Sequence, residues 1–330
     1  MGAIPKNIAA STMKHYIREL ADNVTTHIPL IKMLIDKGNV KVRGGTSINF
    51  PIEYGDSTAC KSYEGYDPLP LSDDDFIDQG EVRWARYNQS IQYSDDDEAF
   101  NSGEEAIIDF VESRTKNAER SLKKTLAAHC MLDGSGNNSK DLYGIPYWVR
   151  EDPTTSVAVA GINQSTSTWW QNQHLDNTTI GAWGSATNKY GRQAFDSMAI
   201  DLQRNEEFPD AAFTDKTSYK KLKKEYELSE IYQIGSRSGK EKKVYGSRGF
   251  EVDGVEVLFD NSITNTTGTD GTMYLLNTNY MKFYIHAKKN FVFIPAMRPT
   301  NTASYVSHIR VYLNLVCTNR AMQGVIYNIA

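Results

Sequence analysis

Two aspartate triplets are the residues best suited by type and spacing to chemistry. Asp73, Asp74 and Asp75 form one, and Asp95, Asp96 and Asp97, followed by Glu98, form the other. A D-x-D spacing suits a divalent cation bound to phosphate, and with one the chain would be a metal-dependent transferase. A simpler electrostatic reading competes. The first triplet lies among prolines and serines and reads as a solvated loop tip. The second stands just ahead of a helical pattern, where carboxylates complement the helix dipole. Solvation and dipole complementation account for both, so no metal site is expected.

The remaining candidates are weaker. Gly235-Ser236-Arg237-Ser238-Gly239-Lys240 has one residue too few between its glycines for a phosphate loop. Glu241 stands where a magnesium-holding hydroxyl belongs, and the segment follows a helix pattern rather than a strand. It reads as a basic loop. Gly134-Ser135-Gly136 lies at a helix end, whereas a nucleophile elbow needs a strand before its serine. The six histidines do not pair at helical spacing. Cys60, Cys130 and Cys317 are odd in number and far apart, which argues against a disulfide framework and a zinc site; Cys130 and Cys317 read as buried small hydrophobes. No catalytic set and no cofactor is expected. The sequence reads as a non-enzyme.

Composition points the same way. The chain has 330 residues, 40% of them hydrophobic and 11% aromatic, with nineteen tyrosines and five tryptophans. That is ample for a core, and tyrosine and tryptophan suit subunit interfaces as well as strands. The net charge of −5 lacks the basic footprint of a protein that grips nucleic acid. The lysines at 220, 221, 223 and 224 are balanced by Glu225, Glu227 and Glu230 and read as a solvated helix face. No secretion signal and no membrane span is legible, so no membrane partner is expected.

The elements that would position these residues are clearer than any chemistry. Residues 8–24 carry a helical period, and Pro29 opens a short apolar helical turn ending at Gly38. Residues 46–54 alternate Ile48, Phe50 and Ile52 as a strand. An acidic loop follows, and a return strand over 81–93 carries Val82, Trp84, Tyr87 and Ile91 in looser alternation. Together they predict a long hairpin over 44–93. An isolated hairpin is marginal in water, so this one is expected to be completed by neighbouring copies.

A capping-box pattern at Ser102 and Glu105 opens a long helix, with Ile107, Val111, Ala118, Leu122, Leu126 and Cys130 on one side. Asp133-Gly134 closes it. Residues 134–191 are rich in Gly, Asn, Ser and Thr. Helices are predicted over 192–205 and 218–231, and strands over 208–213, 250–252, 255–259, 273–276, 282–286, 291–295, 307–315 and 324–329. Asp253-Gly254 marks a tight hairpin.

This order resembles the major capsid protein of tailed bacteriophages, the Hong Kong 97-type fold. Gly44-Gly45-Thr46-Ser47-Ile48-Asn49-Phe50-Pro51 is similar to the family's entry into its extended loop. Asn101-Ser102-Gly103-Glu104 before Ile107-Ile108-Asp109 is similar to the start of its spine helix. Tyr143-Gly144-Ile145-Pro146, Gly161-Ile162-Asn163 and Trp169-Trp170-Gln171-Asn172 resemble a loop block of one capsid family, with Ala160 where a second glycine is expected. Tyr274-Leu275-Leu276-Asn277-Thr278, Leu315 through Arg320 and Gln323-Gly324 resemble the end of such chains. The likeness covers 44–330.

The resemblance implies an α+β fold with an N-terminal arm (1–43), an extended β-hairpin loop (44–93) and a peripheral domain (94–184) holding a spine helix over 102–132. It also implies an axial domain (185–295) and return strands of the peripheral domain (296–330). It implies a shell of hexamers and pentamers of this chain, enclosing double-stranded DNA in a virion assembled in the bacterial cytoplasm. Because the arm starts almost at once, a separate scaffolding protein is expected, with a portal. Lys61 lies where some relatives crosslink, but no motif carries that chemistry over. Residue type and expected position single out Arg18 and Lys32 on the arm as intersubunit contacts. On the loop they single out Tyr63, Tyr66, Phe76, Trp84 and Arg86. A nanocompartment shell enclosing a cargo enzyme, of the encapsulin kind, is the alternative on the same fold.

Overall fold

The computed structural model describes residues 29–67, 69, 71, 74–94, 96, 104–185, 187–204, 206–230, 250–263, 270–299 and 302–330. The helix expected over 8–24, the capping serine Ser102 and the basic loop after Gly235 lie outside these. So do Asp73, Asp95 and Asp97.

Among the described residues the strands form two large sheets and two two-stranded pairs, with Val40–Arg43 and Gln173–Asp176 joining as strands that the sequence did not predict. In the first, β1 (Val40–Arg43) runs parallel to β12 (Met281–His286), which pairs antiparallel with β14 (Ser304–Cys317). β13 (Val292–Met297) and β4 (Ala85–Ser94) also pair antiparallel with β14. The second has the order β7 (Gln173–Asp176), β15 (Gly324–Ile329), β11 (Gly271–Leu276), β8 (Ala211–Thr214), β10 (Val255–Phe259), β9 (Phe250–Val252). Helices Tyr190–Leu202 and Lys216–Glu230 pack on this second sheet. Their buried Phe195, Met198, Leu202 and Leu222 share a core with Val257, Met273 and Ile326.

The long helix runs over Glu104–Cys130, about 40 Å at 1.5 Å per residue. Its buried positions Ala118, Leu122, Leu126 and Cys130 recur every four residues and join the first sheet's core. That stripe is the reason an amphipathic helix forms here. Tyr87 on β4 fastens the helix end: its hydroxyl lies 2.8 Å from His129 Nδ1 and accepts the Leu142 N–H at 2.9 Å.

The segments differ from expectation in two places. The return strand is not continuous. β2 (Ser47–Glu53) pairs with β3 (Ile77–Arg83), Ser47 facing Arg83 and Glu53 facing Ile77. After Trp84 the chain leaves this hairpin and enters the first sheet as β4. The hairpin expected over 44–93 therefore closes at Arg83. The physical reason is a change of parity. Gly80 and Val82 are buried on β3, whereas Ala85 and Ile91 are buried on β4, so the strand must change partner between them.

Sheet membership also cuts across the division at 185 and 295. β12 and β13 belong to the first sheet, while β7 and the C-terminal β15 belong to the second. β15 is apolar on nearly every residue and lies between β7 and β11, as a strand buried on both faces should.

Two tight turns follow their sequences. Asp253 and Gly254 take φ +48° and +87° between β9 and β10, as a primed turn requires. Ala160 and Gly161 take +54° and +85° between β5 (Ala158–Val159) and β6 (Ile162–Asn163). The position where a glycine was expected is thus left-handed, and Ala160 occupies it with strain.

Candidate assembly surfaces

The hairpin β2–β3 has a seated root and a projecting tip. Ile48, Phe50, Ile52 and Val82 are buried. Phe50 faces Gly80 across the pair, and a Cβ on Gly80 would stand 2.4 Å from the Phe50 ring, so only glycine leaves room there. The Phe50 ring meets Trp148 edge-on at 6.3 Å. Glu81 N–H donates to Ala160 O at 3.0 Å, and Tyr54 stacks on Trp169 at 4.7 Å. The root is therefore completed by the subunit's own 145–170 block. The expectation that its apolar face waits for neighbours is corrected: the block supplies the second layer that a lone hairpin lacks.

That block is held by a buried guanidinium. Arg320, fully buried between β14 and β15, donates to Trp148 O (2.6 Å), Trp170 O (2.9 Å), Asn172 Oδ1 (3.0 Å) and Gln164 Oε1 (3.1 Å). It also lies 5.7 Å from the Trp170 ring centroid. Burial pulls its pKa down to about 10, so it stays charged at neutral pH. A buried charge is tolerated only when its hydrogen bonds are satisfied, and here neutral acceptors do so. The indoles of Trp148 and Trp170 donate in turn to Leu315 O and Val159 O, each at 3.1 Å. Sequence reasoning placed Arg320 only inside a resembling segment and missed its role. A lone arginine between two apolar strands was the available signal.

Loops in this region are fixed by one repeated device. Asp133, Asp152, Asn163 and Asp176 each accept both the N–H and the hydroxyl of the Ser or Thr two residues on, an Asx turn reinforced by the hydroxyl. The Thr154 hydroxyl and then its N–H hold the Asp152 carboxyl below its usual range. For Asp176 the Thr178 N–H acts first and the hydroxyl second. At Asp133 burial pushes upward, yet the two Ser135 bonds outweigh it and the net shift is down.

The tip, residues 55–76, is different. Tyr66 and Leu71 are fully exposed, and Tyr63 and Leu69 about two-thirds exposed. From 47 to 83 the sequence carries nine carboxylates against Lys61 and Arg83. Some are spent on local turns: Asp74 accepts from Thr58 N–H at 2.7 Å and from its hydroxyl, and Asp67 from Glu64 N–H at 3.1 Å.

The seven candidate contacts fall into distinct places. Tyr63, Tyr66 and Phe76 share the exposed tip, Phe76 at 44% exposure. Trp84 is buried within its own subunit and donates from Nε1 to Gly45 O at 3.0 Å. Arg86 is exposed on β4, its guanidinium 5.5 Å from the Tyr312 ring centroid. Lys32 stands on the helix Pro29–Asp36, where only its backbone is described, and Arg18 lies outside the described residues. Of the cysteines, Cys130 and Cys317 are buried, and burial raises both thiols to about 12; Cys60 is exposed on the tip. Among the described residues no three His, Cys, Asp or Glu side chains come together to hold a metal ion, and no helix is long and apolar enough to cross a membrane.

A long helix against a sheet built on β14, a projecting hairpin and a second α/β sheet layer make up the Hong Kong 97-type capsid fold, and this chain has it. Among solved structures it is similar to the capsid subunit of cyanophage A-1(L), with TM-score 0.62, 15% identity, and 90% of this chain and 92% of that one covered. It is similar to the SrpI encapsulin of Synechococcus elongatus at TM-score 0.58 and 10% identity, covering 90% and 87%. The capsid protein of the myovirus XM1 follows at TM-score 0.52 and 11% identity, covering 90% and 92%. No family model and no curated protein matches the sequence.

Proposed function

We propose that this chain is the major capsid protein of a tailed bacteriophage, a non-enzymatic subunit that self-assembles into the icosahedral shell around double-stranded DNA. The observation that carries this reading is the divided hairpin. Its root is fastened to the subunit by Tyr54 and Phe50, while its tip leaves Tyr63, Tyr66, Leu69 and Leu71 exposed. A lone subunit gains nothing from such a tip. A neighbour that covers it recovers about 25 cal/mol for each Å² of apolar surface removed from water.

In this reading the first sheet and the long helix form the peripheral domain, and the second sheet with its two helices the axial domain around the five- and six-fold positions. The segment 1–43 is the arm that clasps a neighbour, and the tip lies over another. Scaffolding protein, portal and packaged DNA are the further partners, with assembly in the host cytoplasm and the virion as destination.

A nanocompartment shell is the second reading, favoured by the likeness to the SrpI encapsulin. Electron microscopy of particles purified from phage-producing cells, followed by nuclease treatment, separates the two. Closed shells holding nuclease-protected double-stranded DNA support the phage reading. Shells holding a protein cargo and no nucleic acid support the other, and absence of shells overturns both.

A further inference from the structure

At the root of the segment 1–43, the helix Pro29–Asp36 buries Leu30, Met33 and Leu34 in the first sheet's core. Lys37 follows directly, its N–H donating to Met33 O at 3.1 Å. Two residues on, Asn39 O accepts the Phe283 N–H at 2.9 Å as β1 joins β12. The Lys37 backbone is thus fixed on both sides by contacts of the first sheet.

Its side chain reaches the second sheet. Lys37 Nζ donates to Asp210 Oδ2. The Asp210 N–H donates to Leu276 O at 2.9 Å, and its C=O accepts the Glu256 N–H at 3.1 Å, which extends β8 between β11 and β10. The same carboxylate accepts the Thr278 N–H at 2.9 Å and the Thr278 hydroxyl at 2.7 Å. Thr278 opens the turn Thr278–Tyr280, through which β11 of the second sheet passes into β12 of the first. Asn39 Nδ2 donates to Thr278 O at 2.8 Å. The residues after the helix therefore hold this turn from one side, and Asp210 holds it from the other.

The bonds at this junction differ in how easily they break. Asn277, Thr278 and Gln323 are fully buried, and Gln323 exchanges bonds of 3.0 Å and 3.1 Å with the Asn277 backbone. Buried groups of this kind have no water to replace a lost partner. The Lys37 and Asp210 side chains are 36% and 25% exposed, so water can take over from either partner at modest cost. Glu256 on β10 adds a second attraction to the ammonium, against the cost of its partial burial. The ion pair is the breakable member of an otherwise permanent junction.

We propose that the Lys37–Asp210 pair is a releasable coupling that transmits a shift of the N-terminal segment to the second sheet through the 277–280 turn. The inference rests on the capsid reading, in which that segment clasps one neighbour and the second sheet meets others. Engagement of one interface then favours the geometry of the other, and the effect is reciprocal.

Hydrogen exchange of the unassembled full chain, read by mass spectrometry, tests the coupling. Lys37→Met should speed exchange about threefold over 208–214 and 277–281, across the pair from the substitution, the scale of a half-exposed ion pair. The helix Tyr190–Leu202 should keep its wild-type rate. Lys37→Met/Asp210→Asn should be no faster than Asp210→Asn alone, because the two residues act through one contact. Lys37→Arg should keep the wild-type pattern, which separates loss of charge from loss of fold. Lys41→Met on β1 should leave both segments unchanged. Light scattering then gives the concentration at which each variant assembles, and Lys37→Met should need about threefold more protein than wild type.

Faster exchange confined to 29–39, or a uniform rise across the chain, overturns the proposal. So does Lys37→Met assembling at the wild-type concentration. A wild type that never assembles, with the exchange effect present across the pair, sinks the capsid reading and leaves the coupling standing.

Discussion

Tyr54 lies flat on Trp169, ring centroids 4.7 Å apart and planes 16° from parallel, and this stack marks the border between the fixed and projecting parts of the hairpin. Before it, the strands share the subunit's core. Beyond it, Tyr63, Tyr66, Leu69, Leu71 and Phe76 are exposed. The stack's seat is itself held: Trp169 precedes Trp170, whose carbonyl accepts from buried Arg320. A tip intended for a neighbour must be aimed by its own subunit, and this chain of contacts does the aiming.

Coupling across the stack is therefore measurable. Tyr54→Ala, Trp169→Ala and the double variant should give a coupling energy of about 1 kcal/mol in denaturant unfolding. Each single variant should also be cut faster by protease within 55–76. Additive effects and unchanged cleavage would mean the stack does not fix the loop.

Arg320→Met should be among the most damaging substitutions. Removing the guanidinium leaves two carbonyls and two side-chain amides without their buried donor, at a cost of about 3 kcal/mol or more. The expected readout is a large fall in thermal midpoint or loss of soluble protein. Arg320→Lys should rescue little, since one ammonium cannot reproduce the fork. A midpoint within a degree or two of wild type would refute this role.

Acid should weaken the loop region in a definite direction. A carboxyl held below its usual pKa stabilises the fold above the unfolded value, about 3.9 for aspartate. That contribution is lost as pH falls through the lower folded value. Asp176→Asn keeps an acceptor but no charge. Its thermal midpoint should lie below wild type at pH 7, and the gap should close as pH falls below about 4. A gap that is constant with pH would show that the charge contributes nothing.

Local signals in the sequence were readable where local physics decides. The fourfold spacing from Ala118 to Cys130 marked the helix, Asp253-Gly254 marked its hairpin, and Gly324–Ile329 was bounded as found. The break at Trp84 was also written in the sequence, as the shift from even buried positions at Val82 to odd ones at Ile91. Read as loose alternation of one strand, it hid the change of sheet. Partnership was not legible. Nothing local says that β15 joins β7 and β11, because a strand apolar on both faces fits the middle of either sheet. The fixed root was missed for the same reason: its cover, Trp148 and Trp169, comes from a segment without periodicity.

Assembly through the exposed tip is the central claim, and sedimentation velocity of the full chain tests it most directly. Wild type is compared with a variant whose residues 57–74 are replaced by a short Gly-Ser bridge, which Tyr54 N–H donating to Phe76 O leaves room to close. Wild type should sediment as large closed particles, and the bridged variant as free subunits or small rings with an unchanged unfolding midpoint. A wild-type chain that stays monomeric at micromolar concentration, or a bridged variant that assembles as well as wild type, would contradict it.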